Sequence, residues 1–267
     1  MNIHEFPSFL KEFYKKNKRS LPWRDDPSPY KVLVSEIMLQ QTQVPRVIPK
    51  FNEFMQSFPS IESLSKASTT NLLKVWSGLG YNRRALNLQK TAQHIIQKHK
   101  GELPQTLEEL DNLPGIGPAT AASISAFAFN LPVIFIETNV RTVYIHYFFP
   151  NQENISDKQL IPLLEQTIDK KNPREFYSAL MDLGTHLKKQ IGNETKRSKH
   201  YQKQSPFITS NRRIRGIILK ALMQQAQTID SLTQSLSLPK EKIISNLTQL
   251  EKEGFIKKEN EEWKINS

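Results

Sequence analysis

The stretch Asp111-Asn112-Leu113-Pro114-Gly115-Ile116-Gly117-Pro118-Ala119-Thr120-Ala121-Ala122 decides how the rest of the chain is read. Just before it, Thr106 and Glu109 form a capping-box start for a short amphipathic helix through Leu107 and Leu110. Pro114 to Gly117 must then break that helix. Pro118 suits the first turn of a second one, and mostly small residues run from Ala119 to Ala128. Glycines at 115 and 117 admit backbone angles closed to other residues and leave their amides uncovered. Those amides lie at a helix N-terminus, whose partial positive charge favours a phosphate. Taken alone, Gly-x-Gly fits any tight turn between helices; the longer string is far more specific.

Composition points the same way. The 267 residues carry a formal net charge of +11, which favours a polyanionic partner. Between Lys188 and Lys220 there are ten Lys or Arg and one acid, Glu194, so the charge forms a patch, as phosphate binding needs. With no cysteine, disulfides, thiolate zinc sites and cysteine-ligated iron–sulfur clusters are excluded. The first residues lack the pattern of a signal peptide, and no apolar run approaches the ~18 residues of a membrane span. A soluble, cytoplasmic protein is expected, nucleoid-associated if bacterial, with no membrane partner.

Outward from the hairpin, the pattern is helical nearly throughout. Phe6, Phe9, Leu10 and Phe13 have helical spacing. From Tyr30 to Gln43 the pattern is apolar almost all round, the mark of an interior helix, with Glu36 inside it and Gln40 one turn later. Further helices are expected near 44–57, 61–66, 69–77 and 83–100. Val133-Ile134-Phe135-Ile136 reads as buried extended chain, and Glu137-Thr138-Asn139 then opens another helix. Ser156 with Gln159 caps one more, and Phe176 to Leu187 forms the next. Beyond a polar, basic stretch at 188–211 the apolar spacing marks three helices. Residues 254–258 and 262–265 can pair as a hairpin across Asn260-Glu261, which suggests a winged helix-turn-helix. The expected domains are 1–205 and 206–267.

Two carboxylates carry the chemistry. Glu36 lies in an apolar helix, where burial raises a pKa towards the range of a general acid. It could equally pair with an arginine such as Arg24, or point outward. Glu137 stands just before a helix, where the dipole helps to keep it ionised; a plain capping acid is the alternative. His186 and His200, without cysteines or a third ligand nearby, make a poor metal site.

The string Leu113 to Ala121 resembles the helix-hairpin-helix of DNA base-excision glycosylases, here over 106–127. Leu21-Pro22-Trp23-Arg24, Ser35-Glu36-Ile37-Met38-Leu39-Gln40-Gln41-Thr42-Gln43-Val44 and Trp76-Ser77-Gly78-Leu79-Gly80-Tyr81 join it in order. Together they resemble the MutY-type adenine DNA glycosylases of the endonuclease III-like HhH-GPD superfamily over about residues 20–187. The resemblance implies a two-lobed all-α fold acting, as a monomer, on double-stranded DNA that holds a mispair or lesion. It gives Glu36 the protonation of a flipped adenine, the position of Glu137 the carboxylate that stabilises the oxocarbenium-like sugar, and Asn139 a supporting role. Gln40 and Gln41 would lie at the opened base stack with Tyr81 as the wedge. Gly115, Gly117 and Thr120 of the hairpin and Arg212 and Arg213 of the C-terminal module complete the expected DNA contacts.

Four departures stand out. The usual aspartate at position 137 is glutamate here. Ala119 stands where bifunctional relatives carry a nucleophilic lysine, which implies a monofunctional glycosylase. The four-cysteine cluster that most relatives hold after the segment matching Met181-Asp182-Leu183-Gly184 has no ligands in this chain, so no such cofactor is expected and Lys188–Lys203 replaces that loop. Finally, a winged-helix candidate stands in place of the Nudix-like domain that reads 8-oxoguanine. Family analogy also allows a monovalent cation on the hairpin carbonyls near 113–118. The leading expectation is excision of adenine opposite guanine or 8-oxoguanine. Alternatives are a glycosylase for mismatched thymine or uracil, and a non-catalytic DNA lesion sensor, which would have no need of paired carboxylates.

Overall fold

The structure, a computed structural model, describes residues 1–203 and 210–266. In chain order the first helices are α1 (Phe6–Asn17), α2 (Pro22–Asp25), α3 (Pro29–Leu39) and α4 (Val44–Ser57). Next come α5 (Ile61–Ser65), α6 (Thr69–Trp76), α7 (Arg83–Lys98), α8 (Leu107–Asp111) and α9 (Pro118–Phe129). After α10 (Thr138–Phe148), α11 (Asp157–Thr167) and α12 (Pro173–Ile191) there is a 3₁₀ turn at Glu194–Arg197. The last elements are α13 (Asn211–Leu222), α14 (Ile229–Leu236), α15 (Lys240–Lys252), β1 (Ile256–Glu259) and β2 (Glu262–Ile265).

Short polar side chains start these helices where the sequence has them. Ser60, Ser68, Thr106 and Thr228 each accept a backbone N–H of the first turn, filling one of the donors a helix leaves unpaired. One boundary differs from expectation. The apolar pattern runs to Gln43, but α3 stops at Leu39 and Gln41 takes a left-handed φ of 55°, so Gln40 directly follows the helix and Gln41 turns away from its path. The buried end of α3 is satisfied by Arg84 instead. Its guanidinium donates to the carbonyls of Met38 at 2.8 Å and Gln40 at 2.6 Å, and to Ile37.

The chain divides into two compact units, Met1–Glu36 with Leu103–Lys203, and Ile37–Glu102 with Gln204–Ser267. In the first, α12 packs against α1, α9 and α10. Phe6 meets the rings of Tyr144 and Phe148 at 5.4 and 5.2 Å, inside a core that also takes in Leu10, Tyr177 and Leu180. Residues 133–136 are extended and pair with no strand among the described residues, as their sequence suggested. Phe135 stacks on Tyr177 at 4.1 Å, and the Tyr177 hydroxyl donates to the Val133 carbonyl at 2.8 Å. After α12 the chain doubles back onto the segment between α10 and α11. Arg197 donates to the carbonyls of Phe149 and Gln152, while Ile155 exchanges backbone hydrogen bonds with Arg197 and Lys199.

In the second unit α7 packs on α5 and α6, and α6 on α4. The C-terminal part holds the three expected helices and the hairpin, with Glu259 opposite Glu262 and Asn260-Glu261 as the turn. Gln227 forms an isolated antiparallel bridge with Trp263 beside this hairpin. The expected boundary at 205/206 lies outside the described residues. Among the described residues no helix is long and apolar enough to cross a membrane.

Candidate catalytic site

Glu137 is the N-cap of α10. Its Oε1 accepts the amides of Asn139 at 2.6 Å and Val140 at 3.2 Å, so the carboxylate closes the helix start and is fixed by it. The buried Phe135 and Val140 on either side hold this turn in the core. One face of α12 receives it. The spacing of Met181, Gly184 and Lys188 brings all three to the same side of the helix. A Cβ at Gly184 would lie 2.6 Å from the Asn139 Cβ, so only glycine lets α10 come this near. Asn139 is then held at both ends of its amide, Nδ2 donating to Met181 Sδ at 3.5 Å and Oδ1 accepting from Lys188 Nζ at 3.1 Å.

Glu36 reaches the same place from α3. Its carboxyl lies beside the Ser123 hydroxyl of α9, and burial pushes its pKa up to about 7, with the negative charge of Glu137 adding to the rise. Ser123 and Arg24 oppose that shift. The Arg24 alternative for Glu36 is decided by Asp182: this side chain, 2 % exposed, takes Arg24 at 2.8 Å and Arg19 at 2.7 Å, so Arg24 acts on Glu36 only through space. The amides of Asn139 and Val140 at the helix start favour the ionised form of Glu137, as expected, and so does Lys188; burial acts in the opposite direction and leaves its pKa raised.

The hairpin turn has the expected form between α8 and α9, but its glycines differ. Gly115 has a left-handed φ of 77°, whereas Gly117 is extended at −113° and an added Cβ there would meet open space. Gly117 therefore leaves the start of α9 uncovered rather than supplying an unusual backbone angle. Thr120, half-buried, accepts the Ser123 hydroxyl on its carbonyl at 3.0 Å.

The remaining expected residues belong to the second unit. Gln40 and Gln41 follow α3, one half-buried and one exposed. Tyr81 has a φ of 47° and lies under two guanidinium groups, Arg84 at 5.5 Å and Arg212 at 5.1 Å from its ring centroid. Arg212 also donates to the Tyr81 hydroxyl, and Arg213 is exposed. His186 packs edge-on to Phe13, His200 stands near Asp157, and among the described residues no three His, Cys, Asp or Glu side chains are grouped to hold a metal ion. A four-cysteine cluster does not fit this chain, which offers no thiolate; the segment after α12 is closed by Arg197 instead.

Ser123, Gly184 and Lys188 were missed as site residues in the sequence. Ser123 showed only as a polar residue in a helix of small ones, and Lys188 only as one charge in a basic stretch.

Comparison with known proteins shows which family the chain resembles. Residues 34–170 match the family described as HhH-GPD superfamily base excision DNA repair protein. An adenine DNA glycosylase of Buchnera aphidicola subsp. Baizongia pistaciae is 40% identical over 183 residues, 67% of this chain and 51% of that protein. The adenine DNA glycosylase of Homo sapiens is 36% identical over 195 residues, covering 68% and 36% respectively. This chain thus spans about half the length, or less, of the curated relatives it matches. Among solved structures, a thermostable thymine-DNA glycosylase superposes with a TM-score of 0.63 at 28% identity, over 68% of this chain and 85% of that one. A non-covalent endonuclease III–DNA complex gives a TM-score of 0.58 at 20% identity, over 79% and 92%.

Proposed function

We propose, for a chain that belongs to the HhH-GPD superfamily of base excision DNA repair proteins, that it is a monofunctional DNA glycosylase for adenine mispaired with guanine or 8-oxoguanine. The observation that carries this reading is the pair of carboxylates. Burial pushes the Glu36 carboxyl up to about 7, which favours a protonated form able to give its proton near neutral pH. Glu137 is assigned the charged role because its carboxylate accepts two α10 amides, which favour the charged form against the burial that raises its pKa. Two acids in unlike surroundings divide the work, as acid–base pairs do when environment sets their roles.

The target base must leave the stack before its glycosidic bond is reachable. Glu36 then protonates a ring nitrogen of the flipped adenine. The C1′–N bond breaks with its electron pair going to the base, which departs neutral. Glu137 stabilises the positive charge developing on the sugar. Water adds at C1′, and its proton goes to a carboxylate. Ala119 offers no amine on the hairpin, which supports hydrolysis without an imine. The protein would act as a monomer on duplex DNA.

Excision of mismatched thymine is the second reading, favoured by the superposition on the thymine-DNA glycosylase. Both are tested by incubating the protein with duplexes carrying defined mispairs and cleaving abasic sites with alkali. Strand breaks at adenine opposite guanine or 8-oxoguanine are expected. Breaks only at thymine would favour the second reading, and none in any duplex would refute both.

A further inference from the structure

Lys188 and Lys189 are neighbours in the basic stretch after Gly184, yet they face differently. Lys189 is exposed, while Lys188 is half-buried and turned onto the first turn of α10. Its Nζ donates to Asn139 Oδ1 at 3.1 Å, and the backbone amide of that same Asn139 donates to Glu137 Oε1 at 2.6 Å. The ammonium and the carboxylate are thus joined through one residue, whose place against α12 is fixed by the absence of a side chain at Gly184. We propose that Lys188 is a positioning residue of the site: its ammonium fixes the Asn139 side chain and supplies the positive charge that favours an ionised Glu137. The proposal rests on the glycosylase reading above for its kinetic test.

The electrostatic setting fits this role. Burial alone would drive a carboxylate towards its neutral form and an amine likewise. Burial raises Glu137 and lowers Lys188, and each charge works against the other's shift. The other charged groups do not replace Lys188. Glu36 from α3 is acidic and opposes ionisation of Glu137. Arg24 of α2 and Arg19 are both held by Asp182 of α12. The cation that acts on Glu137 therefore comes from α12, one turn beyond Gly184, through Asn139 and through space.

Lys188→Met keeps the length of the side chain and removes its charge; Lys188→Arg keeps the charge. Single-turnover base release at neutral pH should fall at least about tenfold in Lys188→Met, less than the ~10²-fold that losing a directly contacting donor costs, because Lys188 acts through Asn139. Lys188→Arg should recover most of that loss. The acid limb of the pH–rate profile should move to higher pH in Lys188→Met, because Glu137 then needs less acid to protonate. A second readout needs no activity: carboxyl carbon NMR of the full chain should show Glu137 titrating at higher pH in Lys188→Met than in wild type. A uniform rate loss with an unmoved acid limb and an unmoved Glu137 titration would overturn the proposal and leave Lys188 as packing only. So would a covalent Lys188–DNA adduct trapped by borohydride, which would make it a nucleophile. If wild type releases no base, the glycosylase reading fails while the NMR titration still decides the role of Lys188.

Discussion

Replacing Gly184 by alanine tests the geometry of the site without touching a polar group. The new Cβ would stand 2.6 Å from the Asn139 Cβ and 2.9 Å from its Cα and carbonyl oxygen. Comfortable contact begins near 3.4 Å, so the start of α10 must retreat from α12 by about 1 Å, or α12 must bend. Two of the three atoms are backbone and the third is a Cβ fixed to it, so none can rotate out of the way. Overpacking of this kind costs roughly 1–3 kcal/mol, which lowers Tm by roughly 2–10 °C in a protein of this size. The retreat carries Asn139 and Glu137 with it, and a misplacement of ~1 Å in catalytic geometry can cost ~10²-fold in rate. Circular dichroism melts and single-turnover base release on one mispaired duplex measure the two effects. A variant that is as stable as wild type and within threefold of its rate would refute the close packing as the reason for glycine here.

Glu36→Gln should bind duplex DNA normally and lose at least ~10² in base release. In wild type, release should fall as pH rises through about 7, where Glu36 loses the proton it must give. The same raised pKa makes stability from Glu36 largest in acid and progressively lost between 4.5 and about 7, so Glu36→Gln should gain on wild type in chemical denaturation as pH rises through that window. Glu137→Gln should abolish release, whereas Glu137→Asp, which keeps the charge, should stay within about tenfold; equal rates for the two would remove the electrostatic role. Gly115→Ala, at a left-handed φ, should lose roughly 1–2 kcal/mol of stability, while Gly117→Ala should melt like wild type and weaken all duplexes alike by covering the start of α9. Loss of affinity for a single mispair in Gly117→Ala would contradict a phosphate contact.

Much of this arrangement could be read from the chain because its signals are local. Caps such as Ser60 and Thr106, the prolines that open helices and the apolar spacing of α1 act within one or two turns. The two acids were legible for the same reason, each set against its own helix. What escaped the sequence is long-range. Lys188 meets Asn139 across 49 positions, and Arg84 satisfies the α3 carbonyls across 44 to 47. The same gap explains the overrun of α3: no glycine or proline marks its end, which is defined by an arginine from another helix. The favourable start of α10 at Glu137 was legible, whereas the burial that the rest of the unit imposes on this carboxylate was not.

The discontinuous make-up of the first unit bears on how the protein is made. The apolar face of α1 packs on α12, about 155 residues later in the chain. At ~5–20 residues per second of synthesis, Phe6 and Leu10 wait roughly ten to thirty seconds for the surface that covers them. The doubling back of Arg197 onto Phe149 and Gln152 comes later still. The unit that carries both carboxylates can therefore close only near the end of translation of this stretch, after residues 37–102 have already emerged and had time to fold. A nascent chain stalled before α12 should display α1 as an uncovered apolar helix, open to chaperones and proteases.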